Sequence, residues 1–367
     1  MISQGKDGDM AKSICFFNHK GGVSKTTTAF NVGWELANQG KRVLLVDLDS
    51  QCNLTGMVLG FSKIFDGLES FYSSRNNLTM GPIVEFLING GQPDRYLDTE
   101  SGNLTNTLNK NLFLLPGHLN VSELDSQISV SLKIASGIPA TRNIPGNLPR
   151  TLQIIADQNN IDYVIYDLSP NVGGLNEVIL MSSDYFIVPA TPDFFCWQAV
   201  KSLAINIPKW HAELLSFKMA YDSPSSRAIK NSPKFIGMIQ QRYRPRNGAP
   251  AKSFELWISK IREAVDTILV PKLNEINCVQ SKELIQKVLD ENHKNELSAY
   301  DLAHISDFNS LIAISQTLSV PVFDITDENI KDSGQFGHAL NTMKQSRTSF
   351  KDQFSLLADR TIKITSK

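Results

Sequence analysis

The chain has 367 residues, 41% hydrophobic and 20% charged, so it can fold around a substantial core and is not a disordered chain. Its 36 Lys and Arg nearly balance 37 Asp and Glu, and the formal charge of −1 excludes a protein that coats DNA through its overall charge. No apolar run approaches the roughly 20 residues that span a bilayer.

The first predicted elements form a strand, a glycine-containing loop, a helix and a second strand. Residues 1–10 are polar, lack the apolar stretch of a signal peptide and are expected to be a flexible leader. Residues 13–18 (SICFFN) predict a strand, residues 26–38 a helix and residues 42–47 (RVLLVD) a buried parallel strand. This βαβ order is the setting in which a phosphate-binding loop is credible.

Further strands are predicted along the chain, separated mostly by helical segments. They are residues 111–115, 163–167, 185–189 and 234–239, with residues 320–323 (VPVF) as a shorter candidate. The alternation predicts an α/β fold, with a mainly parallel twisted sheet and helices on both faces. Residues 11–367 are expected to form a single domain, with insertions around 60–109 and 245–297.

The loop between the first strand and helix is KGGVSKTT, residues 20–27. Glycines let backbone N–H groups turn toward a polyphosphate, and the following helix points its positive end at the same charge. Lys25 would reach the β and γ phosphates, and the Thr26 hydroxyl would ligate Mg²⁺. The predicted nucleotide-binding residues are Gly21, Gly22, Val23, Ser24, Lys25, Thr26 and Thr27.

This loop resembles the deviant Walker A motif of the ParA/MinD family of partitioning and positioning ATPases, whose usual form is KGGVGKTT. Ser24 replaces the third glycine of that form, and a small residue still fits. The resemblance implies a P-loop NTPase fold of the SIMIBI-like type. It also implies that Lys20 acts across a dimer interface on the partner's nucleotide, a role that spacing alone does not show.

Two more motifs follow in the order that the family requires. Residues 43–55 (VLLVDLDSQCNLT) resemble VLLVDLDPQGNLT, in which Asp49 matches the aspartate near the attacking water and Mg²⁺. Residues 161–170 (IDYVIYDLSP) resemble the Walker B strand, whose terminal carboxylate is Asp167. The resemblance thus implies catalytic roles for Lys20, Lys25 and Asp49. It implies metal ligation by Thr26, Asp49 and Asp167.

The densest basic stretch interleaves Tyr243 with arginines. Its cations suit contacts with a DNA backbone, which fix position without reading sequence; they are Arg242, Arg244, Arg246 and Lys252. The alternative is a solvated loop.

The four cysteines form no CxxC pair, which favours reduced thiols in the cytoplasm. Cys15 and Cys52 lie near the loop in sequence, but inert thiols are favoured over an iron–sulfur cluster. Trp197 and Trp257 are interpreted as packing residues. Residues 350–364 have apolar positions that suit a helix packed on the sheet better than a membrane-binding helix, because the polar face mixes Asp and Lys.

The resemblance implies an ATPase with ATP and Mg²⁺ as cofactors and slow intrinsic turnover. Its expected states are an ATP-bound homodimer that binds DNA without sequence preference, reset by hydrolysis and by a ParB-like activating protein. The location would be cytoplasmic, and nucleoid-associated if DNA is bound. Two alternatives stay open, a MinD-like membrane-cycling ATPase and an ATP-dependent ligase or amidase of the same superfamily.

Overall fold

The computed structural model describes residues 10–60, 69–96, 102–133, 142–220, 222–243, 245–246, 249–250, 252–291 and 297–366, with the backbone alone at 95–96, 245–246, 249–250 and 252. The strands are β1 (Lys12–Phe16), β2 (Val43–Leu48), β3 (Thr105–Asn106), β4 (Leu112–Leu115), β5 (Tyr163–Leu168), β6 (Tyr185–Ala190), β7 (Lys234–Tyr243), β8 (Pro245–Arg246), β9 (Ala249–Pro250) and β10 (Asp301–Ser306).

The helices of the described chain alternate with these strands. They are α1 (Lys25–Asn38), α2 (Asn53–Leu59), α3 (Met80–Ile88), α4 (Pro93–Tyr96), α5 (Val121–Lys133), α6 (Ile144–Gln158), α7 (Gly174–Ser182), α8 (Phe194–Ala220), α9 (Pro224–Ala228), α10 (Lys252–Ala264), α11 (Val270–Glu275), α12 (Lys282–Asp290), α13 (Leu311–Leu318), α14 (Asp327–Asp332) and α15 (Gly337–Thr365). A π-helical turn, Val265–Leu269, joins α10 to α11.

Eight strands form one sheet in the order β10-β7-β6-β1-β5-β2-β4-β3. All neighbours are parallel except the edge pair β3 and β4. Every residue of β2 and of β5 is buried, so helices cover both faces of the sheet at its centre, as parallel strands require. The predicted α/β class is confirmed.

The sheet order brings the predicted nucleotide-binding and catalytic residues together at the carboxyl ends of the central strands. β1, which leads into the phosphate loop, pairs with β5, and β5 pairs with β2 in a register that sets Asp167 opposite Asp47. Because the strands are parallel, their carboxyl ends meet beside the N-terminus of α1, where ligands bind in open α/β sheets.

The last strand of the sheet is not the predicted one. Residues 321–324 form a turn, in which the Asp324 N–H donates to the Pro321 carbonyl at 3.0 Å, although Val322 is fully buried and its N–H donates to Asn31 Oδ1 at 3.1 Å. The strand at this end of the sheet is β10, whose polar residues Asp301 and His304 obscure its pattern. The prediction for residues 320–323 was wrong because burial there comes from a turn, not from strand pairing.

The C-terminal helix α15 packs on the protein, in agreement with the interpretation of residues 350–364. Its apolar residues Phe350, Phe354, Leu357 and Ile364 are buried, and the helix contacts α1 and β10. Arg360 is buried with them and donates a hydrogen bond to the Leu302 carbonyl of β10. Among the described residues, no helix is both long and apolar enough to cross a membrane.

Candidate functional site

The phosphate loop runs from the end of β1 into α1 and bends through two left-handed residues. Gly22 has φ 73° and Ser24 has φ 58°, a region that glycine enters freely and other residues enter at a cost. The Ser24 hydroxyl makes no capping hydrogen bond, but the Ser24 carbonyl accepts from Thr28. The third glycine of the usual motif therefore provides the left-handed backbone conformation, and Ser24 adopts that conformation at a cost in free energy.

Replacing Ser24 by Gly is predicted to stabilise the nucleotide-free protein by about 0.5–1 kcal/mol, because the strain disappears and the lost hydroxyl caps nothing. Urea unfolding followed by circular dichroism measures this. Ser24→Ala is the matched control, since it removes the same hydroxyl and keeps the strain. A Gly variant no more stable than the Ala variant would contradict the prediction.

Lys25 folds back over the loop that precedes it. Its Nζ donates to the Asn18 carbonyl at 2.9 Å and to the Lys20 carbonyl at 3.3 Å, and the residue is 7% exposed. Burial lowers the pKa of its ammonium, and the carboxylates of Asp167 and Asp49 oppose that shift. The structure therefore holds a desolvated cation within the field of both predicted carboxylates.

Asp47 is the next-to-last residue of β2 and holds the segment that follows the strand. Its Oδ2 accepts from the Thr55 N–H at 2.8 Å and from the Thr55 hydroxyl at 2.7 Å, and its Oδ1 accepts from the Asp49 N–H at 3.2 Å. Burial raises the pKa of Asp47 to about 6. These bonds fix the start of α2 and the segment that carries Asp49, whose Oδ1 accepts from the Gln51 N–H at 3.0 Å.

Asp167 is the chemically unusual carboxylate of the site. It is 1% exposed, and neither of its oxygens accepts a hydrogen bond from the described chain. Burial and the Asp47 carboxylate raise its pKa to about 8, and the nearby Thr26 hydroxyl and Lys25 only partly oppose this. A buried polar group without a partner is costly, so this carboxylate points to a ligand or ion that would complete its environment.

The donor set fits Mg²⁺ bound together with phosphate. Mg²⁺ takes hard oxygen ligands and is usually held by one or two carboxylates and substrate phosphates, not by a cage of protein ligands. Asp167, Asp49 and the Thr26 hydroxyl supply such oxygens at one place. Among the described residues, no group of three or more His, Cys, Asp or Glu forms a dedicated metal site.

Lys20 lies beside the loop and is held within its own chain. Its Nζ is 2.5 Å from Asp193 Oδ2 and 3.1 Å from Thr191 Oγ1. Asp193 also accepts from the Cys196 N–H at 2.8 Å. Burial alone would raise the pKa of Asp193, but the hydrogen bonds from Lys20 and Thr191 outweigh it and the net pKa is lowered. Asp193 is a site residue that the sequence motifs did not predict.

The four basic residues considered for DNA contacts are not a single described cluster. Arg242 has φ 59° and its Nη1 donates to the Gly22 carbonyl at 2.7 Å, so it touches the phosphate loop itself. Arg244 lies outside the described residues. Arg246 in β8 and Lys252 at the start of α10 are described by their backbone alone.

The thiols near the site are held away from ionisation by burial. Burial raises the pKa of Cys15 well above its usual value and that of Cys52 to about 12. Low-pKa, accessible thiolates are the reactive form of cysteine, and these two have the opposite character.

A sequence model of the AAA domain family (AAA_31) matches residues 11–217, which hold the phosphate loop, Asp49, Asp167 and Asp193. The chain belongs to this family. Within the family it is a ParA-like P-loop protein, because the proteins similar to it include a ParA family protein and a chromosome partitioning protein ParA. The ParA-like resemblance predicted from the motifs is confirmed.

Three relatives illustrate the similarity. The uncharacterized protein MJECL24 of Methanocaldococcus jannaschii is 26% identical over 245 residues, which are 66% of this chain and 77% of that protein. The sporulation initiation inhibitor protein Soj of Bacillus subtilis is 29% identical over 53% of this chain. The chromosome partitioning protein ParA of Caulobacter vibrioides is 30% identical over 55%. The match spans 64% of the length of Soj and of ParA.

Two solved structures share the fold. Protein DIP2308 from Corynebacterium diphtheriae superposes with a TM-score of 0.55 at 20% identity, covering 84% of this chain and 97% of that one. A substituted form of McdA from Cyanothece, in complex with ATP, gives 0.55 at 15% identity, covering 94% and 96%. At these identities the likeness supports the fold alone.

Proposed function

We propose that this chain is an ATP-driven switch of the partition type, which dimerises around ATP–Mg²⁺, binds DNA without sequence preference in that state and is reset by hydrolysis. The observation that carries the proposal is the buried, unpartnered carboxylate of Asp167 beside the phosphate loop and Lys25. Residues 11–367 would act as one P-loop domain, with the insertions around 60–109 and 245–297. A ParB-like protein would activate it.

The residues of the loop divide the work on the nucleotide. Backbone N–H groups of residues 21–27 and the Lys25 ammonium would hold the phosphates. The Lys25 ammonium would then give up its hydrogen bonds to the Asn18 and Lys20 carbonyls and donate to phosphate oxygens instead. Mg²⁺, when bound, would neutralise charge on the phosphates. Thr26 and Asp167 would hold it, and Asp49, held by the Asp47 carboxylate, would orient the attacking water.

Lys20 supplies the link between hydrolysis and dimerisation in this proposal. To reach the partner's nucleotide, its ammonium must leave Asp193 and Thr191. The pair is partly exposed, with side chains 24% and 38% accessible, so solvent screens it and the cost of separation is modest. The ion pair would thus favour the monomer without preventing dimer formation.

Asp193→Asn is predicted to lower the ATP concentration needed for dimerisation by about threefold, the effect of roughly 0.6 kcal/mol for an exposed pair. Asn keeps the Oδ1 acceptor for the Cys196 N–H and removes the charge that holds Lys20. Analytical ultracentrifugation across an ATP series measures the shift. An unchanged or raised ATP requirement would contradict the role given to this ion pair.

The DNA part of the proposal is tested by retention of a non-specific duplex with ATP–Mg²⁺, with ADP and without nucleotide. Retention with ATP alone, weakening as salt rises, is the expected result, because phosphate contacts release counterions. Equal retention in all three states, or none, would reject a nucleotide-controlled DNA switch. Arg242 offers a route for that control, since it joins the predicted basic stretch to the Gly22 carbonyl.

A further inference from the structure

Helices α8 and α10 lie side by side and expose large apolar side chains. Phe194 is 45% exposed, Phe195 67% and Leu256 53%, and Trp197 and Trp257 are partly exposed. Trp197 packs against the hydrophobic core, as interpreted from the sequence, and both tryptophans keep part of their surface accessible. We call these five residues the aromatic patch.

The patch is continuous across the two helices. The ring centroid of Phe194 lies 5.8 Å from that of Trp197 on α8 and 6.0 Å from that of Trp257 on α10. Single exposed apolar residues are normal on a protein surface, but a contiguous group indicates a binding surface. Phe and Trp rings are also the side chains that contribute most to protein interfaces.

Two lysines lie on these rings. Lys201 Nζ is 3.5 Å from the centroid of Trp197, and Lys260 Nζ is 6.0 Å from Trp197 and 5.9 Å from Trp257. Within the part of the chain that the structure describes, neither lysine forms an ion pair with a carboxylate. The patch thus combines exposed apolar side chains with two lysines that can pair with carboxylates of a partner.

We propose that the aromatic patch docks an acidic amphipathic segment of a partner protein. Apolar side chains of that segment would cover the rings of Phe194 and Trp257, and its carboxylates would pair with Lys201 and Lys260. Charge complementarity of this kind selects and orients partners. Within the patch, the ring centroid of Phe195 lies 5.7 Å from Lys20 Nζ, so the partner would bind beside the nucleotide site.

Two other occupants fit the surface less well. Duplex DNA presents its phosphates and sugars to a protein surface and leaves exposed phenylalanine rings without apolar contact. A second copy, with patch against patch, would bring the lysines of both copies toward one another. Separate measurements of duplex DNA binding and of self-association, made with the same variants, distinguish both possibilities from the proposal.

The test uses two labelled peptides and the full chain, without nucleotide or DNA. Both peptides are amphipathic helices with the same leucine and phenylalanine face; one has a glutamate face and the other a lysine face. Fluorescence anisotropy is expected to show the acidic peptide binding at least about tenfold more tightly. The double variant Lys201→Glu, Lys260→Glu should remove or invert this preference.

The ring contribution is tested with Phe194→Ala, Trp257→Ala, which should weaken binding of the acidic peptide by roughly thirtyfold. The matched control is Leu108→Ala, Lys110→Glu, an exposed apolar residue and lysine in the loop before β4, which should leave binding unchanged. Circular dichroism establishes that each variant folds.

Four results would overturn the proposal. They are equal binding of the two peptides, acidic-peptide binding that survives both double variants, duplex DNA binding that Phe194→Ala, Trp257→Ala removes, and self-association that the same variant removes. Because ATP and DNA are absent from the peptide assay, failure of the proposed switch would leave this result intact, and failure here would leave the switch intact.

Discussion

Lys25→Ala is expected to lower the rate of ATP hydrolysis by at least about 100-fold, the effect of removing one preorganised charge donor from a developing negative charge. The ammonium is buried over the loop, where the low dielectric strengthens its interaction with phosphate. Phosphate release at saturating ATP–Mg²⁺ measures turnover, and a fluorescent ATP analogue measures binding.

Two variants make this result specific. Lys110→Ala, in an exposed loop, should leave turnover unchanged. Lys20→Ala should leave ATP binding by the monomer unchanged, because the Lys20 ammonium contacts Thr191 and Asp193 of its own chain. The same variant should lose ATP turnover, because the proposed role of Lys20 is to contact the nucleotide bound to the partner. Normal hydrolysis by the Lys25 variant would reject the proposed site.

Asp167→Asn is expected to change the pH dependence of stability as well as activity. The folded-state pKa of Asp167 is raised from 3.8 to about 8, so between these values the folded state binds a proton that the unfolded state releases. Stability therefore falls as pH rises through this window, by up to roughly 1.4 kcal/mol per pH unit. The Asn variant lacks this loss, so the free energy of unfolding of the variant minus that of the parent should increase from pH 5 to pH 8.

Urea unfolding of the nucleotide-free protein at several pH values measures this difference. The matched control is Asp352→Asn, at an exposed position of α15, which should give a pH profile parallel to that of the parent. Asp47→Asn on the neighbouring strand should instead destabilise the protein by about 1–3 kcal/mol, because Asp47 accepts three hydrogen bonds that an amide cannot fully replace. It should also change the pH profile, because the pKa of Asp47 is itself raised to about 6 and its carboxylate helps to raise that of Asp167. In the same samples Asp167→Asn should abolish Mg²⁺-dependent hydrolysis. A parent and an Asp167 variant with parallel pH profiles would show that this carboxylate is not kept protonated by burial.

The central sheet could be predicted because its strands are continuous apolar runs ended by turns. The runs that became β2 and β5 are buried on both faces, so their composition alone indicates parallel strands. The αL conformation of Ser24 and of Cys52 explains why the family usually has glycine at both positions. Local sequence therefore predicted the elements and the phosphate loop.

Contacts between distant parts of the chain could not be predicted in this way. Asp193 is far from Lys20 in sequence, and only the pairing of β1 with β6 brings the two together. Arg242 reaches Gly22 because β7 ends beside the loop. The roles of Lys20, Asp49 and Asp167 remain predictions, and the placement of the three residues fits the chemistry.

The position of β1 between β5 and β6 also constrains how the protein is made. The strand that leads into the phosphate loop is synthesised before both of its partners, and the nearer one follows about 150 residues later. At about 5–20 residues per second on the ribosome, the nascent strand waits roughly 8–30 s for that partner. ATP cannot assist early folding as a stabilising ligand, because its pocket forms only after Asp167 has emerged. The β1 segment, apolar and unpaired during that interval, is where we expect chaperones to act.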